Sequence, residues 1–263
     1  MPTFIIMAIY TTEIASDKIV SDNPIHQRLL KPYIWVANHV KGDLLEIGCG
    51  EGRGVELLKD KVTTYTAIDK IQEVVDKLQT SHPEAKFICA NIPPFSGLAD
   101  NSFDTIVSFQ VIEHIKSDKL FLQEIHRVLR PGGKAYITTP NINLTLTRNP
   151  WHVREYTPEQ LTDLAKSLFP KVEMKGVGGN EKVMDYHERN RASVQKITRW
   201  DFLNLQYRLP AFMLRIPYDV LNRMNRNKLK ESNDQLVSDI SHEDYLVQEQ
   251  GDGALDLFLV VEK

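Results

Sequence analysis

Four glycines at alternate positions, Gly48, Gly50, Gly52 and Gly54, follow a short apolar run, Leu44 to Ile47, that carries one carboxylate, Glu46. The run has the pattern of a buried parallel strand, and Val55, Leu57 and Leu58 open a helix-like segment after it. A strand that breaks into glycines and re-emerges as a helix lets peptide N–H groups approach a ligand closely, because no Cβ stands between. The chemistry implied is the holding of a nucleotide-like cofactor at the end of the first strand. Counted from Gly48, a dinucleotide G-x-G-x-x-G needs glycine where Arg53 stands; counted from Gly50, it needs glycine where Val55 stands. The dehydrogenase frame therefore fails in both registers. Two histidines, His114 and His152, are of the residue type that moves protons near neutrality, and they are the candidate general bases.

The elements that position these groups alternate in kind. Tyr65 to Asp69 reads as strand two, with Asp69 at its carboxyl end, 23 positions after Glu46. An acidic side chain there can accept both hydroxyl protons of a ribose. Ile71 to Leu78 is a helix, Lys86 to Asn91 strand three, and Ser102 to Phe109 strand four, from whose end Gln110, Glu113 and His114 leave. A helix capped by Ser117 or Asp118 and carrying His126 on an exposed face runs to Pro131-Gly132-Gly133, and Lys134 to Thr139 is strand five. Thr157 with Gln160 forms a capping box, and Pro158 takes the first helical position. That box pins the loop bearing His152, with Arg154 and Glu155 expected to hold it through an ion pair. Lys171 to Val177 and Ala254 to Glu262 are the last strands. Strands alternating with helices imply a parallel sheet covered on both faces, whose ligands bind beyond the strand carboxyl ends. The glycine loop, Asp69, Asn91 and Gln110 all fall there.

Glu46-x-Gly48-x-Gly50-x-Gly52, with Val111-Ile-Glu-His114, a helix ending Val128-Leu-Arg-Pro-Gly-Gly133 and a strand ending Thr138-Thr-Pro-Asn141, resembles the class I S-adenosylmethionine (SAM) dependent methyltransferases. The likeness is to the broad group that includes ubiquinone-pathway and sugar O-methyltransferases, and it covers about Leu44 to Val177 plus the last strand. It implies a Rossmann-like α/β fold: a seven-stranded, mostly parallel sheet with helices on both faces and a helical insertion before the last strand. It implies SAM as cofactor, held by Glu46, Gly48, Cys49, Gly50, Gly52, Asp69, Lys70, Asn91, Ile92 and Gln110. In that role Asp69 takes the ribose, Asn91 the adenine amino group, in place of the family's frequent Asp, and Ile92 the adenine face. The activity implied is methyl transfer to an oxygen of a small molecule, glycan or lipid-linked acceptor, with no metal assigned. Two alternatives accompany it. Glu113, His114 and His152 resemble part of the cation-binding set of RNA 3′-end 2′-O-methyltransferases, although Gln110 replaces that set's first glutamate. A SAM-binding module without catalysis is the other.

The remaining chain divides the reading into three parts. Residues 1–42 form an N-terminal helical segment, which the resemblance places beside the cofactor cleft, with a helix start at Ser21-Asp22-Asn23-Pro24. Residues 43–177 with 254–263 form the core, and residues 178–253 a helical cap. From Glu181 to Glu231 there are 11 Lys and Arg against 6 Asp and Glu, interleaved with aromatic residues. Pro210 to Met224 reads as a kinked amphipathic helix. A cap over the sheet and a basic surface for an anionic or lipid-linked acceptor are both open. The whole chain, 263 residues with 42% hydrophobic and 25% charged residues and net charge −3, is an ordinary globule, and the charge argues neither for nor against a particular partner. A small-molecule, glycan or lipid-linked acceptor is the expected partner and nucleic acid is not. Cys49 and Cys89 make no disulfide framework and suit a reducing cytoplasm. Residues 3–10 are apolar but too short to span a bilayer and follow no basic residues, so they read as a packed segment rather than a signal peptide. No transmembrane segment is expected. Peripheral membrane contact and oligomeric state are left open.

Overall fold

The computed structural model describes residues 19–263; the apolar stretch at residues 3–10 lies outside them. The chain forms two units. One comprises residues up to Leu29 with Thr145–His152 and Gly179–Leu246; the other comprises Leu30–Leu144, Val153–Gly178 and Val247–Lys263.

The second unit is built on a sheet. Strands β1 (Asp43–Ile47), β2 (Thr64–Asp69), β3 (Lys86–Cys89), β4 (Phe103–Phe109), β5 (Leu129–Pro140), β6 (Lys171–Gly179), β7 (Tyr245–Gln248) and β8 (Asp256–Glu262) lie in the order β3-β2-β1-β4-β5-β8-β6-β7. The first five are joined in parallel, and β8 runs antiparallel to both β5 and β6. Among the described residues eight strands stand where the sequence suggests seven. The additional one, β7, is four residues long, and its Tyr-Leu-Val-Gln lies in a stretch polar enough to read as loop.

Alternation along the central strands explains the two covered faces. Leu45 and Ile47 point one way with Ile106, Ile137 and Leu259, into a core shared with helices α4 (Asp118–Val128) and α5 (Pro158–Lys166). Phe121, Leu122 and Ile125 supply the α4 side of that core, and Leu161 and Ala165 the α5 side. Leu44 and Glu46 point the other way. There the later part of α1 (Asn23–Val36) packs Tyr33 edge-on to Phe109 at 4.7 Å and Trp35 to Phe258 at 5.2 Å. Short α2 (Val55–Leu58) follows the glycines and α3 (Gln72–Ser81) follows β2. The capping box forms as read: Thr157 accepts from the Gln160 N–H, and the Gln160 side chain accepts from the Thr157 N–H.

The other unit is helical among its described residues: α6 (Glu181–Thr198), α7 (Leu205–Arg208), α8 (Ala211–Ser232, with Pro217 inside) and α9 (Asp234–Asp239). Its anchor is Asp22, whose side chain is fully buried between Arg223 at 2.8 Å and Arg226 at 3.0 Å. A carboxylate so enclosed needs both guanidinium partners to offset its lost hydration. Asn180 caps α6 by accepting from the Val183 N–H, and donates to Asp244 at 2.8 Å.

Candidate cofactor site

At the carboxyl end of β1 the chain turns through Gly48 (φ +79°), Gly50 (φ +49°) and Gly52 (φ +88°). Left-handed backbone is open to glycine at little cost, which accounts for the alternation. Gly48 is doubly restricted, because a Cβ there would also collide with the Val111 side chain. Gly54 has no such φ. A Cβ on it would stand 2.7 and 2.9 Å from the two Glu46 carboxylate oxygens and against the Tyr33 ring, so this glycine is required by space alone.

Asp69, at the carboxyl end of β2, reaches across to this turn. Its Oδ2 accepts the Gly50 N–H at 2.9 Å, and its Oδ1 accepts the Ile71 N–H at 3.0 Å. One carboxylate thus ties the glycine loop to the start of α3. Each oxygen retains acceptor capacity beyond the single peptide hydrogen bond. Cys49 is buried in the same turn. Burial first, then the Glu46 and Asp69 carboxylates, push its thiol far above the usual range, so it packs as a neutral group. Lys70 and Asn91 are exposed and Ile92 half-buried. Asn91 stands two residues past the end of β3, which stops at Cys89 rather than continuing through it.

Glu46 is the buried charge behind the loop, at 1% exposure. The Tyr33 hydroxyl donates to its Oε1 at 2.6 Å, and the Tyr65 hydroxyl donates to its Oε2. Desolvation raises its pKa from 4.5 to about 7, against the lowering effect of the Tyr33 hydrogen bond and of Arg53. Neither tyrosine belongs to the glycine motif, yet the sequence carries a signal for them. A lone carboxylate in a buried apolar strand demands buried donors. Tyr65 stands two residues before Ala67, the register partner of Glu46, and so on the same sheet face.

Beyond β4, Gln110 adopts left-handed backbone (φ +59°), donating its N–H to Thr138 O at 2.9 Å and its amide to Thr138 Oγ1 at 3.3 Å. Ile112–His114 form a single 3-10 turn. Within it Glu113 is buried: Thr139 donates to its carboxylate at 2.9 Å, and its carbonyl accepts the N–H groups of Val153 at 2.7 Å and Arg154 at 3.2 Å. His114 follows half-buried at the same strand end. His152 belongs to the helical unit, where its Nε2 lies 2.8 Å from the Asn149 amide.

Two local expectations change. Arg154 pairs with Asp118 at 2.9 Å, and Tyr156 donates to the same carboxylate; the partner comes from α4 rather than from the neighbouring Glu155. His126 is half-buried rather than exposed, its ring 5.3 Å from Phe169, and burial lowers its pKa. The residue that covers it lies beyond α5, outside the periodicity of its own helix.

Known proteins resemble this chain over the same residues. The family described as a methyltransferase domain matches residues 45–137, which contain the whole run from Glu46 to His114. A probable S-adenosylmethionine-dependent methyltransferase of Mycolicibacterium smegmatis is 37% identical over 136 residues, half of this chain and 52% of its own length. One from Mycobacterium tuberculosis is 34% identical over 158 residues, 58% of this chain and 57% of its own. The chain thus spans about half the length of the curated relatives it matches. A Thermotoga maritima structure, described as a SAM-dependent methyltransferase and possible histamine N-methyltransferase, superposes over 91% of both chains with a TM-score of 0.55 at 14% identity. At that identity the likeness is one of fold. A parallel sheet with an antiparallel closing strand, a glycine turn at β1 and a carboxylate at β2 are joined here to matching sequence. On these grounds residues 45–137 match the methyltransferase domain family, in a chain whose fold and most similar relatives are those of S-adenosylmethionine-dependent methyltransferases.

Proposed function

We propose that this protein transfers a methyl group from SAM to an oxygen of a small molecule, a glycan or a lipid-linked acceptor. The observation that supports it most is the 2.9 Å bond between Asp69 Oδ2 and the Gly50 N–H, which joins the two halves of the cofactor grip at adjacent strand ends. A ribose diol offers two O–H donors, and the Asp69 oxygens keep acceptor capacity for them. The glycine turn brings peptide groups close to a ligand, and Asn91, Ile92 and Gln110 stand at the neighbouring strand ends for the adenine and the methionine side. Bound SAM supplies a methyl carbon activated by its sulfonium.

The chain's own residues then do the positioning and the proton transfer. Holding donor and acceptor in line lowers the barrier by several kcal/mol. His114, anchored at the end of β4 by its N–H to Val111 O at 2.9 Å, is the proposed base that takes the acceptor's hydroxyl proton, a contribution of roughly 10²–10⁴-fold. His152 is the second candidate for that role. Support for oxygen as the acceptor atom is the motif likeness to ubiquinone-pathway and sugar O-methyltransferases.

Calorimetry with SAM and with NADH tests the cofactor: SAM should bind, and binding of NADH alone would overturn the reading. Mass spectrometry of cell extract incubated with the protein and deuterated SAM should then show one labelled product. His114→Ala should keep SAM affinity and lose turnover. If turnover survives it, the base is not His114, and His152→Ala becomes the deciding variant.

A further inference from the structure

A surface helix ordinarily turns its apolar stripe inward. Helix α8 does not. At 3.6 residues per turn, Phe212, Met213, Ile216, Val220, Leu221 and Met224 fall within about half of its circumference. All six are exposed, from 44% at Leu221 to 76% at Ile216, while Asn225 and Leu229 are buried on the opposite side. The segment just before it repeats the pattern, with Trp200 70%, Phe202 82% and Tyr207 64% exposed. Apolar exposure so concentrated marks an interaction surface.

Charge identifies the occupant. Between Lys196 and Met224, with Arg223 committed to the buried Asp22, four basic residues stand against Asp201 and Asp219, a surplus of two positive charges in a chain whose net charge is −3. Both acids are engaged: Asp201 accepts the N–H groups of Leu205 and Gln206, and Asp219 accepts from the Trp151 indole. Lys196, Arg199, Arg208 and Arg215 are exposed. No helix among the described residues is long and apolar enough to cross a membrane, which restricts association through these helices to a bilayer surface. We propose that the outward face of α8, with the aromatic segment before it, docks this protein on an anionic lipid bilayer. The apolar side chains enter the headgroup boundary, Trp200 and Tyr207 sit at the interface, and the guanidinium groups meet lipid phosphates. This reading is independent of the cofactor site.

The test is flotation of the full chain with vesicles of phosphatidylcholine alone and with phosphatidylglycerol added. Binding should require the anionic lipid and weaken as salt rises. The double variant Phe212→Ser, Ile216→Ser should weaken partitioning roughly tenfold or more, and Arg199→Glu, Arg208→Glu should abolish the preference for phosphatidylglycerol. A brominated lipid should quench Trp200 in the unaltered chain and not in Trp200→Phe, which keeps the proposal testable if a double variant misfolds. Absence of binding to anionic vesicles at low salt would overturn it. So would binding that both double variants leave unchanged, or a dimer in solution that Ile216→Ser dissociates with no vesicle binding by the original chain.

Discussion

Replacing Glu46 with glutamine removes a proton equilibrium that the fold has displaced. In the unfolded chain this carboxyl titrates near 4.5; in the folded chain burial moves it to about 7. Between those values the native protein keeps a proton that the unfolded protein has released. Stability must therefore fall as pH rises through that window and level off above it. A shift of some 2.5 units, at about 1.36 kcal/mol per unit, is worth about 3 kcal/mol. The amide of Glu46→Gln resembles the neutral acid in shape and still accepts from a tyrosine, but it does not titrate. Urea unfolding of both proteins from about pH 4.5 to about pH 8 isolates the effect, because every other titrating group is common to the two. The original chain should lose about 3 kcal/mol relative to the variant across the window. Tyr33→Phe, which deletes a hydrogen bond that lowers the folded-state Glu46 pKa, should leave the onset of the decline in place and extend it to higher pH. Parallel stability profiles for the original chain and Glu46→Gln would refute the reasoning, since they would mean that Glu46 titrates alike folded and unfolded.

Asp69→Ala should weaken SAM binding roughly tenfold to a hundredfold by calorimetry, the worth of hydrogen bonds to a charged acceptor; unchanged affinity would place the ribose elsewhere. Gly54→Ala should destabilise the chain by about 1–3 kcal/mol in urea, because its Cβ would press into the Tyr33 ring and the Glu46 oxygens inside a filled core. Thr157→Ala removes the side-chain half of the α5 capping box and should cost about 1 kcal/mol by the same assay, with SAM affinity retained.

Local physics was sufficient for much of this molecule. Alternation and apolar runs marked the central strands, glycine at alternate positions marked the turn after β1, and Thr157 with Gln160 marked the start of α5, because each signal is confined to a few neighbouring residues. What the chain could not announce locally was how distant groups meet. That Tyr33 and Tyr65 close on Glu46, that Asp118 rather than Glu155 holds Arg154, and that Asp22 is enclosed by Arg223 and Arg226 all depend on contacts across 13 to 204 positions. The short β7 belongs with these, since four residues of ordinary polarity become a strand only when a sheet edge receives them. Even the outward face of α8 was ambiguous in sequence, where an apolar stripe signals burial and only the folded neighbours decide which side is covered.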